Sequence, residues 1–400
     1  MGRGAVGSVR RGIACNVTWP HAVALVLACA AGIYQLIAII ALLRHKPRSP
    51  ISSPSSVPVS ILKPVYGNDV GFYEAIRTHA LQQYPEFEIL FGVRSADDPA
   101  RPHIERLIRE FPALQIRLVQ CSTRTPNMKV GALMDLEREA RHPILIVNDS
   151  DISVPVRYVA DVTAPLADPR VGLVTCLYRA EARDWPSRLE ALAIATDFAP
   201  SVLVARLFGV ADFALGSTLA FRRADLERIG GFAAVADYIG DDYQLGHKLH
   251  GLGLRNVISN VIVSTRMASG SWLGGWRHQL RWARTIRLHG GFGGYAGLLI
   301  TNATLWAVVA AGFGLWWVAV GLLAMRFAMA IASGSFLGAT DTRRYWYTIP
   351  LRDLAGFGVW AAGLFGRSVI WRDQKLRLGA EGKIVSNRTM NPVRTDSGSS

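Results

Sequence analysis

Two aspartates stand one residue apart directly after an apolar run in the middle of the chain. Asp149 and Asp151 follow Ile144-Leu-Ile-Val147, which predicts a buried strand. Alternate side chains of a strand share a face, and open α/β sheets bind ligands at the carboxyl ends of their strands. Two carboxylates placed there can hold Mn²⁺ or Mg²⁺ together with substrate phosphates. Taken alone, the pair also fits a polar turn after a strand.

A second carboxylate pair opens a predicted helix. Asp241 and Asp242 follow Gly240 and precede Tyr243-Gln-Leu245. Carboxylates near a helix N-terminus can serve the helix dipole alone. A carboxylate can also act as a general base that takes the proton of an attacking hydroxyl, and the other motifs of the chain favour this second interpretation.

Cationic and polar side chains in three further motifs suit the same chemistry. Arg281, within Trp276-Arg-His-Gln-Leu-Arg-Trp282, could offset charge on a departing diphosphate. The same segment has the Trp and Arg content of a helix at the level of lipid headgroups, and both interpretations can hold together. Asn127-Met-Lys129 offers a lysine that could meet phosphate, although a surface lysine is the commoner case. Asp97 and Asp98 follow another predicted strand, again at its carboxyl end.

The elements that must position these residues form an α/β domain over residues 57–290. Short apolar runs predict buried strands, and the stretches between them predict helices. Their alternation indicates a mostly parallel sheet with helices on both faces. The predicted strands are Val59–Leu62, Phe87–Val93, Gln115–Val119 and Pro143–Val147, and the predicted helices include Asp69–Gln82 and Pro102–Phe111.

An apolar segment precedes this domain. His21–Leu43 contains no Asp, Glu, Lys or Arg, and about 20 apolar residues cross a bilayer as a helix. Residues 1–46 are therefore predicted to form an N-terminal transmembrane anchor. A cleaved signal peptide is the weaker alternative, because basic residues follow the run and a cleavage motif does not. Residues 47–56, which are rich in Pro and Ser, form a predicted linker.

A second membrane region is predicted over residues 291–375. The stretch Leu298–Leu337 carries a single charge, Arg326, and suits two short helices joined by a turn at Gly312-Phe-Gly314. Leu354–Ile370 could span the bilayer or lie in its interface, and we favour spanning. Residues 376–400 are predicted to form a basic, disordered tail.

Composition narrows the class of protein. Half of the 400 residues are hydrophobic, 18% are charged, and the formal net charge is +14. Soluble domains average about 25% charged residues, so part of the chain is predicted to lie in lipid. The excess of Lys and Arg over Asp and Glu then favours an anionic membrane surface and phosphorylated substrates as binding partners over nucleic acid. Zinc-finger spacing and a dense basic helix, which would indicate nucleic-acid binding, are absent from the sequence. The four cysteines form no CxxC pair, which predicts neither a disulfide scaffold nor a zinc site.

As a set, the motifs resemble those of the ceramide glucosyltransferases, glycosyltransferase family 21. The resemblance covers residues 57–288 and continues weakly through Trp371-Arg372 and Leu376-Arg-Leu378. It implies a GT-A type domain that uses a nucleotide-diphospho-sugar. In chain order, the motifs are Ser60-Ile-Leu-Lys-Pro64, Tyr84-Pro85, Asp97-Asp-Pro-Ala100, Asn127-Met-Lys129, Asp149-Ser-Asp151, Asp241-Asp-Tyr243 and Arg281-Trp282.

The resemblance also implies roles for individual residues. Asp149 and Asp151 would hold the divalent cation, and Asp242 would be the catalytic base. Arg281 and Trp282 match the end of the family's (Q/R)xxRW motif and join the catalytic set, although its first position is occupied by His278 instead of Gln or Arg. The residues implied in substrate binding, with Asp98 near the uridine, are Lys63, Pro64, Asp97, Asp98, Asn127, Lys129, Asp241, His278 and Gln279.

Within this group the chain looks more similar to bacterial hopanoid-biosynthesis glycosyltransferases, through Val171–Arg179, Phe198–Val204 and Ala236–Tyr243. That likeness implies an inverting enzyme of the bacterial inner membrane, multi-pass, with its catalytic domain in the cytoplasm. It would move N-acetylglucosamine or glucose from a UDP-sugar to a lipid alcohol, bacteriohopanetetrol. A ceramide glucosyltransferase is the alternative. Two further rivals are a processive family 2 polysaccharide synthase and a membrane scaffold with a degenerate transferase fold.

Overall fold

The computed structural model describes residues 19–45, 57–267, 270–371 and 374–389. The predicted linker at 47–56 lies outside the described residues, as do residues 1–18 of the predicted anchor and residues 390–400 of the predicted tail. Arg372, part of the weak C-terminal resemblance, also lies outside them.

Strands and helices alternate through the middle of the chain, helices dominate residues 19–44 and 272–363, and three strands follow them. A π-helical turn, Ile194–Phe198, joins the helices Trp185–Ala193 and Ala199–Leu207. The strands are β1 (Val59–Pro64), β2 (Phe87–Val93), β3 (Gln115–Gln120), β4 (Ile144–Val147), β5 (Ile152–Ser153), β6 (Val171–Glu181), β7 (Leu219–Arg222), β8 (Arg255–Arg266), β9 (Ser368–Trp371), β10 (Gln374–Leu378) and β11 (Ile384–Thr389). The helices are α1 (Trp19–Arg44), α2 (Phe72–Ala80), α3 (Arg101–Glu110), α4 (Met128–Glu139), α5 (Tyr158–Thr163), α6 (Trp185–Ala193), α7 (Ala199–Leu207), α8 (Arg223–Arg228), α9 (Asp241–Gly251), α10 (Trp272–Gly297), α11 (Ala303–Gly312), α12 (Trp316–Leu337), α13 (Thr340–Arg344) and α14 (Ile349–Gly363).

The large sheet has eight strands in the order β3-β2-β1-β4-β7-β6-β8-β5. The first four in that order are parallel to one another, whereas β7 runs antiparallel to β4 and to β6. The four strands predicted from apolar runs are confirmed, as are the two predicted helices, which appear as the shorter α2 and as α3, shifted by one residue toward the N-terminus. The mixed α/β architecture predicted from the sequence is therefore confirmed.

Both faces of this sheet are buried, which explains the unbroken apolar runs of its strands. Ile61 and Ile146 pack on one face with α2, α3 and α5. Leu62 and Leu145, one position away, pack on the other face with α4 and α9. Because side chains alternate along a strand, consecutive residues of each apolar run pack into the hydrophobic cores on opposite faces of the sheet.

In the part of the chain that the structure describes, two helices, α1 and α12, are long and apolar enough to cross a membrane. A third candidate arises if α10 with its following 3₁₀ turn, and α11 beyond a 64° bend, count as one span. Small side chains at the contact of α1, α11 and α12, including Ala31, Ala307 and Ala319, let the helices approach closely. The turn predicted at Gly312-Phe-Gly314 separates α11 from α12, as Gly314 has a φ of 77°.

The segment Leu354–Ile370 does not form the spanning helix that we favoured. Helix α14 ends at Gly363 and has 15 residues, which rise about 22 Å against a hydrocarbon core of about 30 Å. The end of the segment belongs to β9 instead.

The tail predicted from residue 376 is wrong as far as Thr389, because these residues complete a second sheet. Strands β9, β10 and β11 pair antiparallel in the order β11-β10-β9. Leu376, Leu378 and Ile384 bury their side chains against Ile239 and Leu288 of the main domain. Most residues of Gln374–Leu378 and Ile384–Thr389 are polar or basic, and this composition is the reason that the sequence predicts a tail here.

Candidate active site

A cavity of about 1250 Å³ opens at the carboxyl ends of β1 and β4. Helices α6, α7, α9 and α10 bound its other sides. It brings together side chains that the sequence places more than 200 residues apart. The predicted site residues that line it are Pro64, Lys129, Asp149, Asp151, Asp241, Asp242, His278, Arg281 and Trp282.

Lys129 joins the two acidic pairs at the centre of the cavity. It lies near the N-terminus of α4, and its Nζ is 2.8 Å from Asp149 Oδ1 and 3.3 Å from Asp241 Oδ2. Burial alone would lower the pKa of Lys129, but the nearby carboxylates raise it above its usual value. Lys129 is therefore a fixed cation in the floor of the site rather than a surface lysine.

Asp151 carries a carboxylate in an electrostatically unfavourable position. Burial, followed by the charge of Asp149, raises its pKa, while a hydrogen bond from the hydroxyl of Thr265 opposes this rise. The strand end thus concentrates negative charge that the protein compensates only in part. Such a place attracts a cation or a proton.

Gly216 leaves open the space between the two acidic pairs. A Cβ at this position would lie 3.0 Å from Asp242 Oδ2 and 3.4 Å from Asp149 Oδ2. The absence of a side chain therefore keeps these oxygens accessible from the same side. Over the described ranges, no three His, Cys, Asp or Glu side chains converge to hold a metal ion. The acidic set fits a cation that takes its remaining ligands from a substrate, as phosphate-bound Mg²⁺ and Mn²⁺ do.

Asp242 sits in the first turn of α9, and its environment makes it a stronger base than an ordinary aspartate. Burial and the charge of Asp241 raise the pKa of Asp242 to about 6, with Lys129 acting in the opposite direction. Its Oδ1 accepts a hydrogen bond from the N–H of Tyr243 at 2.8 Å, which fixes the carboxylate. A base with a pKa near neutrality is suited to proton transfer at physiological pH.

Helix α10 contributes the cationic side of the cavity. Burial lowers the pKa of the Arg281 guanidinium, and the charges of Glu190 and Asp149 oppose this shift. His278, one turn earlier, is hydrogen-bonded through Nδ1 to the buried Glu190. The ring of Trp282 lies 5.2 Å from that of His278 and 6.1 Å from that of Phe198. Trp282 therefore packs in the wall, beside the charged residues.

Two predicted substrate residues support the cavity from behind. Lys63 is fully buried, and its Nζ donates to the backbone carbonyl of Asp149 at 3.0 Å. Burial lowers the pKa of Lys63 to about 7. Asn127 caps α4 and donates through Nδ2 to Tyr238 O at 2.7 Å and to Asp241 Oδ1 at 3.3 Å. Both side chains position the acidic residues rather than line the cavity.

The remaining predicted residues lie outside the cavity lining. Asp98 is buried and accepts hydrogen bonds from the N–H groups of Gly67, at 3.1 Å, and Ala100, at 2.9 Å. It thereby fixes the loop next to Tyr66, which does line the cavity. Asp97 is exposed, and Gln279 is half-buried on α10 without reaching the cavity.

Sequence reasoning missed Glu190 and Gly216. Glu190 lies on α6, 88 residues before its partner His278, and no local pattern marks it. Gly216 stands in Gly-Ser-Thr before β7, where a turn explains a glycine equally well. Both are recognisable only once α6, β7 and α10 are brought together.

The sheet and the position of the acidic pair after β4 define a glycosyltransferase fold of GT-A type. Mannosyltransferase PcManGT from Pyrobaculum calidifontis, solved in complex with GDP-Man and Mn²⁺, superimposes with a TM-score of 0.51. The match covers 86% of this chain and 97% of that one at 22% sequence identity, so it shows the shared fold. Within this class, the model of Glycosyl transferase family 21 matches residues 22–384, and the chain belongs to that family.

Two Caenorhabditis elegans proteins are similar to somewhat more than half of this chain. Ceramide glucosyltransferase 3 is 29% identical over 223 residues, which are 54% of this chain and 47% of that protein. Ceramide glucosyltransferase 1 is 25% identical over 234 residues, which are 58% of this chain and 50% of that protein. The chain thus matches about half the length of these curated relatives.

Proposed function

We propose that this protein transfers a sugar from a nucleotide diphosphate to a lipid alcohol at a membrane surface. The observation that carries the proposal is the two-sided character of the cavity. Asp149, Asp242, Lys129 and Arg281 occupy one part of it, where an anionic, water-soluble donor would bind. The π turn and α7 provide a largely apolar wall elsewhere.

The apolar wall adjoins the membrane helices, which suits a lipid acceptor. Ile194, Phe198 and Val202 line the cavity. On the side of α7 opposite the cavity, Leu203 packs against the ends of α1 and α12. A lipid held beside these helices needs to expose only its hydroxyl to the donor.

The mechanism would be a single inverting displacement. The hydroxyl oxygen of the lipid attacks the anomeric carbon of the donor sugar, and Asp242 accepts the hydroxyl proton. Arg281 and Lys129 offset the charge that develops on the departing diphosphate. A bound Mn²⁺ or Mg²⁺ would add Lewis-acid stabilisation of the diphosphate, and Asp149 and Asp151 are the residues that would hold it.

The finer assignment favours a UDP-sugar donor and a hopanoid acceptor, with ceramide as the alternative. The ceramide glucosyltransferase relatives support a glycolipid product. The GDP-Man and Mn²⁺ bound to the mannosyltransferase neighbour support nucleotide-sugar and divalent-cation binding. Because nucleotide sugars are cytosolic, we place the catalytic domain at the cytoplasmic face of a bacterial inner membrane, held by α1 and α12.

The test supplies membranes containing the protein with radiolabelled UDP-N-acetylglucosamine or UDP-glucose. Each donor is paired with bacteriohopanetetrol or ceramide in the presence of Mn²⁺ or Mg²⁺, with and without EDTA. Asp149→Asn is the test variant, and Asp168→Asn is the control, because Asp168 pairs with Arg170 and Arg255 outside the cavity.

One labelled lipid that disappears with EDTA and in Asp149→Asn, but persists in Asp168→Asn, is the expected result. It would also identify both substrates. Label in a long polymer would instead establish a processive synthase. Absence of transfer from every donor to every acceptor, by protein that still binds UDP, would refute the proposal.

A further inference from the structure

A π-helical turn interrupts the helical wall of the cavity. Ile194–Phe198 separates α6 from α7, and the N–H of Ala199 bonds to the carbonyl of Ile194, five residues earlier. Two residues of the turn, Ile194 and Phe198, line the cavity. Single π turns inside α-helices are rare and occur frequently at functional sites, so the contacts that hold this one are informative.

Helix α12 holds the π turn from outside through two side chains. Arg326 Nη1 donates to the carbonyl of Thr196 at 2.9 Å, and Ser333 Oγ donates to the carbonyl of Ala195 at 2.6 Å. Arg326 and Ser333 are seven residues apart, which places them on one face of the helix. A candidate membrane span is therefore bonded directly to the backbone of the cavity wall.

Arg326 is itself fixed by a buried ion pair. Its Nε and Nη2 donate to the two carboxylate oxygens of Asp353 on α14, at 2.8 Å and 2.7 Å. Both side chains are only 2% exposed, and Thr304 of α11 donates to the same carboxylate at 2.6 Å. This two-pronged geometry is available to arginine and not to lysine.

Asp197 connects Arg326 and its bonded partners to the aromatic residues of the cavity wall. Arg326 Nη2 lies 2.8 Å from Asp197 Oδ1, and Arg352 contacts the same carboxylate. The next residue, Phe198, places its ring 5.5 Å from that of Tyr178 and 6.1 Å from that of Trp282. All three rings line the cavity.

We infer that Arg326, together with Ser333, is a positioning residue for the lipid acceptor. The two side chains fix the π turn against α12, and the turn places Phe198 and Ile194 where the acceptor chain lies. A charged residue within a membrane helix faces the protein interior and commonly marks a functional site, and here its partners are the cavity wall and α14. The inference rests on the proposed function, because it concerns the acceptor of that reaction.

The test measures kcat, the KM of the lipid acceptor and the KM of the sugar donor in detergent–lipid micelles. Arg326→Lys keeps the positive charge but loses the two parallel hydrogen bonds to Asp353. Ser333→Ala removes one hydrogen-bond donor to the π turn without leaving an unpaired charge. Ser335→Ala is the matched control, because Ser335 is exposed on the same helix. Thermal unfolding of each variant monitors folding.

The acceptor KM is expected to rise about tenfold in Arg326→Lys and about threefold in Ser333→Ala, since small displacements of a binding wall are costly. The donor KM should stay within about twofold of the wild-type value, as should both constants in Ser335→Ala.

An unchanged acceptor KM in a folded Ser333→Ala variant, or equal rises in the donor and acceptor KM, would overturn the inference. A purely structural role predicts lower thermal stability with unchanged acceptor KM. A wild-type protein that transfers no sugar to any lipid would refute the proposed function and this inference with it. Normal wild-type transfer with unaffected variants would refute this inference alone.

Discussion

Replacing Asp242 by asparagine removes the proposed general base while keeping nearly the same side-chain volume. Positioned acid–base groups contribute about 10² to 10⁴ in rate, which corresponds to about 3 to 5 kcal/mol of transition-state stabilisation. We therefore expect kcat of Asp242→Asn to fall by about that factor. The donor KM should change little, because Arg281 and Lys129 remain.

The pH dependence gives a second, independent measure of the same role. The base must be deprotonated to accept a proton, so activity is lost as pH falls below its pKa. Burial and Asp241 raise the pKa of Asp242 to about 6, at which about a tenth of the carboxylate remains ionised at pH 5. A bound cation would lower this pKa, so the acidic limb of kcat should lie at or below pH 6. The limb should be absent from the residual activity of Asp242→Asn.

Asp241→Asn is the informative companion variant. Removing this neighbouring negative charge lowers the pKa of Asp242, so the acidic limb should move to lower pH while kcat at pH 8 is largely kept. Radiolabel transfer at saturating donor and acceptor, measured from pH 5 to pH 8, gives all three profiles. An Asp242→Asn enzyme within tenfold of wild type, or one that retains the acidic limb, would show that another group takes the proton.

Two further changes test the rest of the cavity. Gly216→Ala should reduce kcat at least tenfold, because its Cβ would lie 3.0 Å from an oxygen of Asp242 and 3.4 Å from one of Asp149; transfer assays on protein of unchanged Tm provide the check. Glu190→Gln should make UDP a product inhibitor about fivefold tighter, because the loss of one negative charge near Arg281 changes the binding energy by about 1 kcal/mol.

Each of these variants has a matched control. A Cβ at Gly290 would have no atom within 4 Å, so Gly290→Ala should leave kcat unchanged, and an equal loss in both glycine variants would contradict the steric argument. His278→Gln removes the partner of Glu190 but not its charge. The inhibition constant of UDP should therefore stay close to that of the wild type in His278→Gln; a shift equal to that of Glu190→Gln would assign the effect to the hydrogen bond.

The sequence is most informative where function depends on neighbouring residues. Ile144–Val147 predicts its strand through continuous hydrophobicity, and the carboxyl-end rule then places Asp149 and Asp151 at the ligand edge. Asp241 and Asp242 are likewise locatable, because a helix start after a glycine is a local signal. These positions follow from periodicity and chain direction alone.

Features that depend on distant parts of the chain could not be predicted in this way. Arg326 is the single charge in the apolar stretch Leu298–Leu337, and α12 runs through it because Asp353 neutralises it inside the helix bundle. The sequence leaves open whether Lys129 meets phosphate or lies on the surface, and only the folded chain shows it between Asp149 and Asp241. The π turn has no distinctive composition, since the contacts that stabilise it come from α12, more than 120 residues later.

The small C-terminal sheet ties catalytic competence to the order in which the chain is synthesised. The N–H of Ile239 donates to the carbonyl of Gly382 at 3.1 Å, and the N–H of Ile384 donates to that of Asp237 at 2.7 Å. These bonds fasten the loop that leads into the carboxylates of α9, and their partners Gly382 and Ile384 follow every candidate span found among the described residues. A ribosome therefore completes the candidate spans α1 and α12 before it releases the strands that complete this loop. The nascent chain acquires its final active-site geometry only after both candidate spans have been made.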